Sequence, residues 1–276
     1  MSKMFLICTV VVELICSSLL TAQDSLPTPS AESFGNHSFM LLSDRPFGLE
    51  PTGPIQLRAP AALPSMTSEE ALRVYQKRVG DQNRNLASYS ATSYIRVQLP
   101  ATSQSGEYQL RCDYVAPRIL TFKVIYSAGD AFVKTNVIAR LLRAEVDHVQ
   151  KDDPALTSLT SDNYMFSYKS TATSYGRLVH IYQVKPRSKR IGLFKGRVYL
   201  DARTGTLVRT EGSVVKSPSV FIKNIHLVQT YTDTAGFTFP AHIHYEVRTR
   251  IVGNAVVDIY DQDYEPSFFD RLNFTF

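Results

Sequence analysis

The stretch from Ile191 to Tyr264 is an almost unbroken β pattern, and it limits what this chain can fold into more than any other feature. Its first hairpin reads Gly196-Arg-Val-Tyr-Leu-Asp201-Ala-Arg-Thr-Gly205-Thr-Leu-Val-Arg-Thr-Glu211-Gly212. A second runs from Phe221 to Tyr231, turns at Thr234-Ala235-Gly236 and returns from Phe239 to Arg250, before a closing strand that ends at Tyr264. Apolar and polar residues alternate, with Gly, Asp or Asn near most breaks, as consecutive antiparallel strands require. On the sharpest strand Phe239, Ala241, Ile243, Tyr245 and Val247 share one face, while His242, His244, Glu246, Arg248 and Arg250 share the other. Period two over that length sets one side against an apolar interior and the other in water.

Upstream, Thr67-Ser-Glu-Glu70 is a capping box, in which the hydroxyl and carboxylate satisfy orphan amides at a helix start. Ala71, Leu72, Val74, Tyr75 and Val79 carry that helix to about Asn85. Strands are expected near Tyr89–Leu99, Glu107–Val115 and Arg118–Tyr126, the third with Leu120, Phe122, Val124 and Tyr126 on one face. A second helix, Asp130 to about Gln150, carries Phe132, Val133, Val137, Ile138, Leu141, Leu142 and Val146 at helical spacing. So apolar a helix, bracketed by strands, covers the apolar face of a sheet. Strands resume at Asn163–Thr171 and Tyr175–Val184. The fold class is α+β, mainly β, with about ten strands and two principal helices.

The beginning, Met1 to Ala22, has one positive charge, an apolar run and then small residues, the layout of a secretory signal peptide. The rival, an uncleaved anchor, needs about 20 apolar residues, and Glu13 interrupts the run. Export is the expectation. Residues 23–65 form a Pro-rich lead-in: seven prolines between Asp24 and Ser65 leave little that can hold a helix or a ladder. Residues 66–265 make the folded domain and 266–276 a tail whose final Phe276 also suits the last strand of an outer-membrane barrel. Cys8 and Cys16 lie in the leader, so Cys112 alone remains in the mature chain, on a strand where a buried thiol is expected.

The net charge of +5 brings no zinc finger or helix-turn-helix with it, and no nucleic-acid partner is inferred. The densest basic run, Lys185, Arg187, Lys189 and Arg190, is either a solvated loop or a contact with anionic lipid headgroups or an acidic envelope protein. No dinucleotide, P-loop, zinc-protease or nucleophile-elbow motif occurs, and no cofactor is implied. Glu145, Asp147 and His148 read as a solvated helix edge. His242 and His244 point the same way and are the metal candidates. His226 joins them only if the hairpin turn includes Thr234; with a two-residue Ala235-Gly236 turn it falls on the opposite face. A metal-dependent hydrolase would need all three imidazoles to converge.

The order of elements, with the hairpin Gly196 to Gly212, Gly236-Phe-Thr-Phe-Pro240, Val257-Asp-Ile-Tyr260-Asp-Gln-Asp-Tyr264 and the helix before Leu86-Ala-Ser-Tyr89, resembles the bacterial LolA/LolB/RseB-like superfamily of periplasmic lipoprotein-handling domains. The resemblance spans roughly Thr67 to Glu265. It implies an antiparallel sheet curled into an incomplete barrel, with helices over the concave face and acyl chains of a lipid or acylated lipoprotein held between them. It implies no catalytic residues. The expected cavity wall is Phe122, Val124, Phe239, Ile243 and Tyr245, faced by Leu141 and Leu142 from the second helix. The alternative use of the same fold is a protein-interaction or signalling module whose interior is filled by side chains.

Overall fold

The computed structural model describes residues 64–174, 176–217, 222–250 and 253–269. The expected leader and nearly all of the Pro-rich lead-in lie outside them, as do residues 270–276. Helix α1 (Ser68–Asn85) opens with the capping box: the Glu70 amide donates to Thr67 Oγ1 at 3.2 Å, and the Thr67 amide donates to the Glu70 carboxylate at 2.9 Å. Strands β1 (Leu86–Leu99), β2 (Gln104–Val115) and β3 (Ile119–Gly129) follow as a meander. Next comes a helix whose first turns are π-helical (Val133–Ile138) and whose remainder is α2 (Ala139–Lys151). Asp130 caps it, its carboxylate accepting from the Val133 amide at 3.1 Å.

Strands β4 (Tyr164–Ser174), β5 (Arg177–Pro186), β6 (Phe194–Asp201), β7 (Leu207–Val214), β8 (Ile222–Thr234), β9 (Phe237–Thr249) and β10 (Asn254–Phe268) complete one ten-stranded antiparallel sheet. Its order is β3-β2-β1-β10-β9-β8-β7-β6-β5-β4. The first strand therefore pairs with the last, and the sheet curls without closing. Its free edges are β3 and β4, consecutive in the chain and joined by the π/α2 helix. β10 runs on through Pro266 to Phe268, past the boundary expected for the tail.

Both helices lie on the inner face, where they bury Tyr75, Val79, Val133, Val137, Ile138 and Leu141 against apolar residues from nearly every strand. The hairpin Gly196–Gly212 earns its sequence signature here. Asp201 turns the chain by accepting from the amides of Arg203 and Thr204, and Gly205, at φ +65°, lets the turn approach α1. A β-carbon at Gly205 would sit 2.8 Å from the Val74 side chain. The interior also holds phenols tied to backbone: Tyr75 donates to the Leu159 carbonyl at 2.9 Å and Tyr182 to that of Ser68. Burial, helped by neighbouring Tyr168, pushes the Tyr182 hydroxyl up to about 12.

Two register details correct the face assignments read from sequence. β3 carries an extra residue at Ile125: Gln109 pairs with Tyr126 but Leu110 pairs with Val124. A bulge flips side chains to the other face, so Tyr126 leaves the face of Leu120 and Phe122. In the β8–β9 hairpin the turn is the two-residue Ala235-Gly236, with φ +52° and +81°, as a tight hairpin demands. Yet a second shift between Thr230 and Tyr231 moves His226 opposite Glu246, back onto the face of His242 and His244. The expectation that this turn length sends His226 to the other face is overturned by that bulge.

Candidate functional site: the helix-covered interior and its open end

Four of the seven residues expected to line an acyl cavity meet under α2. Phe122, Leu141, Leu142 and Ile243 surround a small internal space, together with Ser93, Ile95, Glu145, Ile259 and Asp261. Its volume is about 30 Å³, enough for a water molecule and far below the roughly 300–1,000 Å³ of ligand pockets. Leu141 and Ile243 are each 1% exposed. Tyr245 is buried in the same core, further along β9. Phe239 belongs to a second cluster with Tyr89, Cys112, Leu120, Val149, Phe237 and Tyr264. Val124 lies apart from all of them, 51% exposed on the edge strand, because the bulge at Ile125 and the missing neighbour strand leave it uncovered.

The second cluster is aromatic. Phe239 stacks on Tyr264 with ring centroids 4.3 Å apart, and Tyr89 packs against Tyr114, Phe239 and Tyr264 at 5.2, 5.3 and 5.8 Å. Tyr89, Tyr114 and Val149 from this cluster line a larger pocket at one end of the sheet, between the last turns of α1 and α2 and the β2–β3 turn. This pocket has a volume of about 420 Å³. Leu86, Tyr89, Tyr114, Val149 and Phe269 give it apolar walls, and Gln82, Arg118, His148 and Asp152 stand among them. Tyr114 donates to the Pro117 carbonyl at 3.1 Å, and burial raises its pKa above the ordinary phenol value. Arg118, exposed, reaches the Gln150 carbonyl at 3.3 Å at the end of α2.

Glu145 and His148 are not a solvated edge. They are 3% and 4% exposed, and with Leu141 and Val149 they form the buried stripe of α2. Spacings of three and four place all four on one side of a helix, and the trough of the sheet encloses that side. His148 Nδ1 bonds the Asp152 carboxylate. Cys112 is buried at 1% exposure in the aromatic cluster.

His242 and His244 lie on the outer face, and both address one carboxylate oxygen. His242 Nε2 lies 3.0 Å and His244 Nδ1 2.8 Å from Asp258 Oδ1. Among the described residues no group of three or more His, Cys, Asp or Glu is placed to hold a metal ion. The basic run Lys185, Arg187, Lys189 and Arg190 is exposed on the β5–β6 connection, with Arg187 Nε donating to the Ser161 carbonyl at 2.8 Å. No helix among the described residues is long and apolar enough to cross a membrane.

No family model and no curated protein matches this chain. Solved structures similar to it include a Vibrio parahaemolyticus domain assigned to outer membrane lipoprotein sorting, 13% identical over 74% of this chain and 94% of that one, with a TM-score of 0.38. A LolA superfamily protein from Nitrosomonas europaea is 11% identical over 73% of this chain and 94% of that one, at 0.36. The Pseudomonas aeruginosa MucA/MucB complex contributes a chain 10% identical over 72% of this chain and 99% of that one, at 0.24. The Nitrosomonas europaea protein carries the name of the superfamily that the motifs resemble. At such scores the likeness carries no part of the functional reading below.

Proposed function

We propose that this chain is an exported, non-enzymatic protein of the bacterial envelope that binds one acyl chain of a lipid or lipoprotein, for carriage or sensing. The observation that carries this reading is the 420 Å³ pocket at the open end of the sheet, lined by aromatic rings and rimmed by Arg118. Its size falls within the roughly 300–1,000 Å³ range of ligand sites. A chain entering there has a continuous apolar path past Val146 and Phe122 toward Leu142, provided α2 lifts. The N-terminal part of that helix is π-helical from Val133 to Ile138, and π segments are frequent at functional sites. Each methylene that leaves water contributes about 0.8 kcal/mol, so affinity needs no directional chemistry. The basic residues Lys185, Arg187, Lys189 and Arg190 supply a contact for an anionic membrane surface.

A second reading is favoured by one observation. The space under α2 is only about 30 Å³, as expected of an interaction module with a filled core whose partner is another envelope protein. Native mass spectrometry of residues 23–276 from an exporting bacterium, followed by organic extraction and uptake of a dansylated fatty acid, separates the two. The acyl-binding reading predicts a co-purifying lipid or saturable uptake, lost in a folded Leu142→Glu variant. A ligand-free mass with no uptake overturns it and leaves the filled-core module.

A further inference from the structure

The outer face of the sheet carries a row of side chains that the acyl-binding reading does not use. The strand register aligns Tyr126 on β3 with Gln109 on β2, Gln109 with Tyr94 on β1, Tyr94 with Tyr260 on β10, and Tyr260 with His242 on β9. The five residues thus form one line perpendicular to the strands. The three tyrosines are exposed, Tyr94 at 38%, Tyr260 at 49% and Tyr126 at 53%. They bring large rings into water across neighbouring strands, a contiguous exposed patch of the kind that marks interaction sites. The rings are also held in place. Gln109 Nε2 donates to the Tyr94 hydroxyl at 2.9 Å, and the His242 ring lies flat on Tyr260, centroids 4.2 Å apart and planes 5° from parallel. His242 is itself fixed by Asp258.

Along this row lies a depression of about 260 Å³ walled by Tyr94, Tyr126, Tyr260, Gln109, Arg96 and Glu107. Arg96 and Glu107 pair at 3.2 Å on its flank. Aromatic rings in the wall, with an amide, a guanidinium and a carboxylate beside them, make a site for a ligand with an apolar flat face and a rim of hydroxyls. We propose that this row binds an uncharged, β-linked polysaccharide chain, with successive sugar rings lying along the tyrosines.

Charge decides against the other ligands that stack on aromatic platforms. A nucleic-acid site needs uncompensated cations to meet phosphates. Here Arg96 is matched by Glu107, Arg111 by Asp113, and the carboxylate of Asp258 stands one residue pair from the row. A polyhydroxylated neutral chain, which donates and accepts equally, is complementary to such a mixed border. The row runs unbroken across five strands, and β-linked glycans are extended ribbons that run along such a row where α-linked ones coil.

Affinity electrophoresis of the full chain through gels containing glycol chitin, hydroxyethyl cellulose or dextran tests this. Retardation is expected in at least one of the two β-linked glycans and not in dextran. Tyr260→Ala and Tyr94→Ala should each raise the dissociation constant by roughly three- to tenfold, the worth of one aromatic contact. Tyr94→Phe, which keeps the ring and loses the Gln109 bond, should retain most of the binding. Far-UV circular dichroism confirms that each variant is folded. No retardation in either β-linked glycan overturns the proposal. So does equal retardation in dextran, or binding that neither alanine substitution weakens.

Discussion

Gly196 on β6 pairs directly with Gly212 on β7, and neither position has room for a side chain. A β-carbon on Gly196 would lie 1.9 Å from the Glu211 carbonyl oxygen, and one on Gly212 would lie 2.3 Å from that of Lys195 and 2.9 Å from the Phe194 ring. The two strands approach closely where Phe194 is completely buried in the main core. The nearest obstacle at each position is ladder backbone, not the end of a flexible side chain.

Gly196→Ala and Gly212→Ala should therefore each destabilise the protein by about 1–3 kcal/mol, the usual cost of forcing extra volume into packed structure. Gly236→Ala is the comparison. Its backbone angle is demanding, φ +81°, which is not so of Gly196 or Gly212, but nothing lies within 4 Å of its added methyl group, so it should lose only about 1 kcal/mol. Urea midpoints of the three variants check this. Losses at positions 196 and 212 no larger than at 236 would mean that close approach of the strands is not what the glycine pair supplies.

Gln82 fastens the end of α1 to the sheet. Its Nε2 donates to the Thr238 carbonyl and its Oε1 accepts from the Thr238 amide, both at 3.0 Å and both out of water. The side chain completes both backbone groups of one β9 residue, beside the end pocket. Gln82→Leu keeps the bulk and removes both bonds. Each buried group left unsatisfied costs about 1–3 kcal/mol, so a loss of about 2 kcal/mol or more is expected in denaturant unfolding. A loss below about 0.5 kcal/mol, the level of an inconsequential surface change, would show that the pair does not hold the helix.

The sequence was most informative where a local pattern decides the structure. The capping box at Thr67, the tight turn at Ala235-Gly236 and the alternation on β9 each depend on a few neighbouring residues. The structure places a helix start, a hairpin and a half-buried strand at those positions. What stayed hidden depends on register. One bulged residue at Ile125 turned Tyr126 outward, and another irregularity at Tyr231 restored His226 to the face of His244. Spacing of two cannot reveal either. Burial of Glu145 and His148 was equally hidden, because polar residues on a helix say nothing about how deep a trough the helix will occupy. The tyrosine row was the least legible of all. Tyr260 joins Tyr94 and Tyr126 only because the first strand of the domain pairs with the last.

The β9–β10 pairing sets up an acid-sensitive contact. Asp258 on β10 is partly covered, and burial alone would raise its pKa; the hydrogen bonds from His244 and His242 outweigh it and hold the carboxyl below its ordinary value. The sign follows from linkage. A carboxylate whose folded pKa is depressed contributes stability above its unfolded pKa of about 3.9 and loses it as pH falls through the folded value. Asp258→Asn cannot make that contribution at any pH. The variant should therefore be less stable than the parent at neutral pH, with the gap in urea midpoint narrowing as the buffer is taken below about pH 4. A gap of the same size at about pH 7 and about pH 3 would assign the loss to packing around Tyr260 and not to the shared carboxylate.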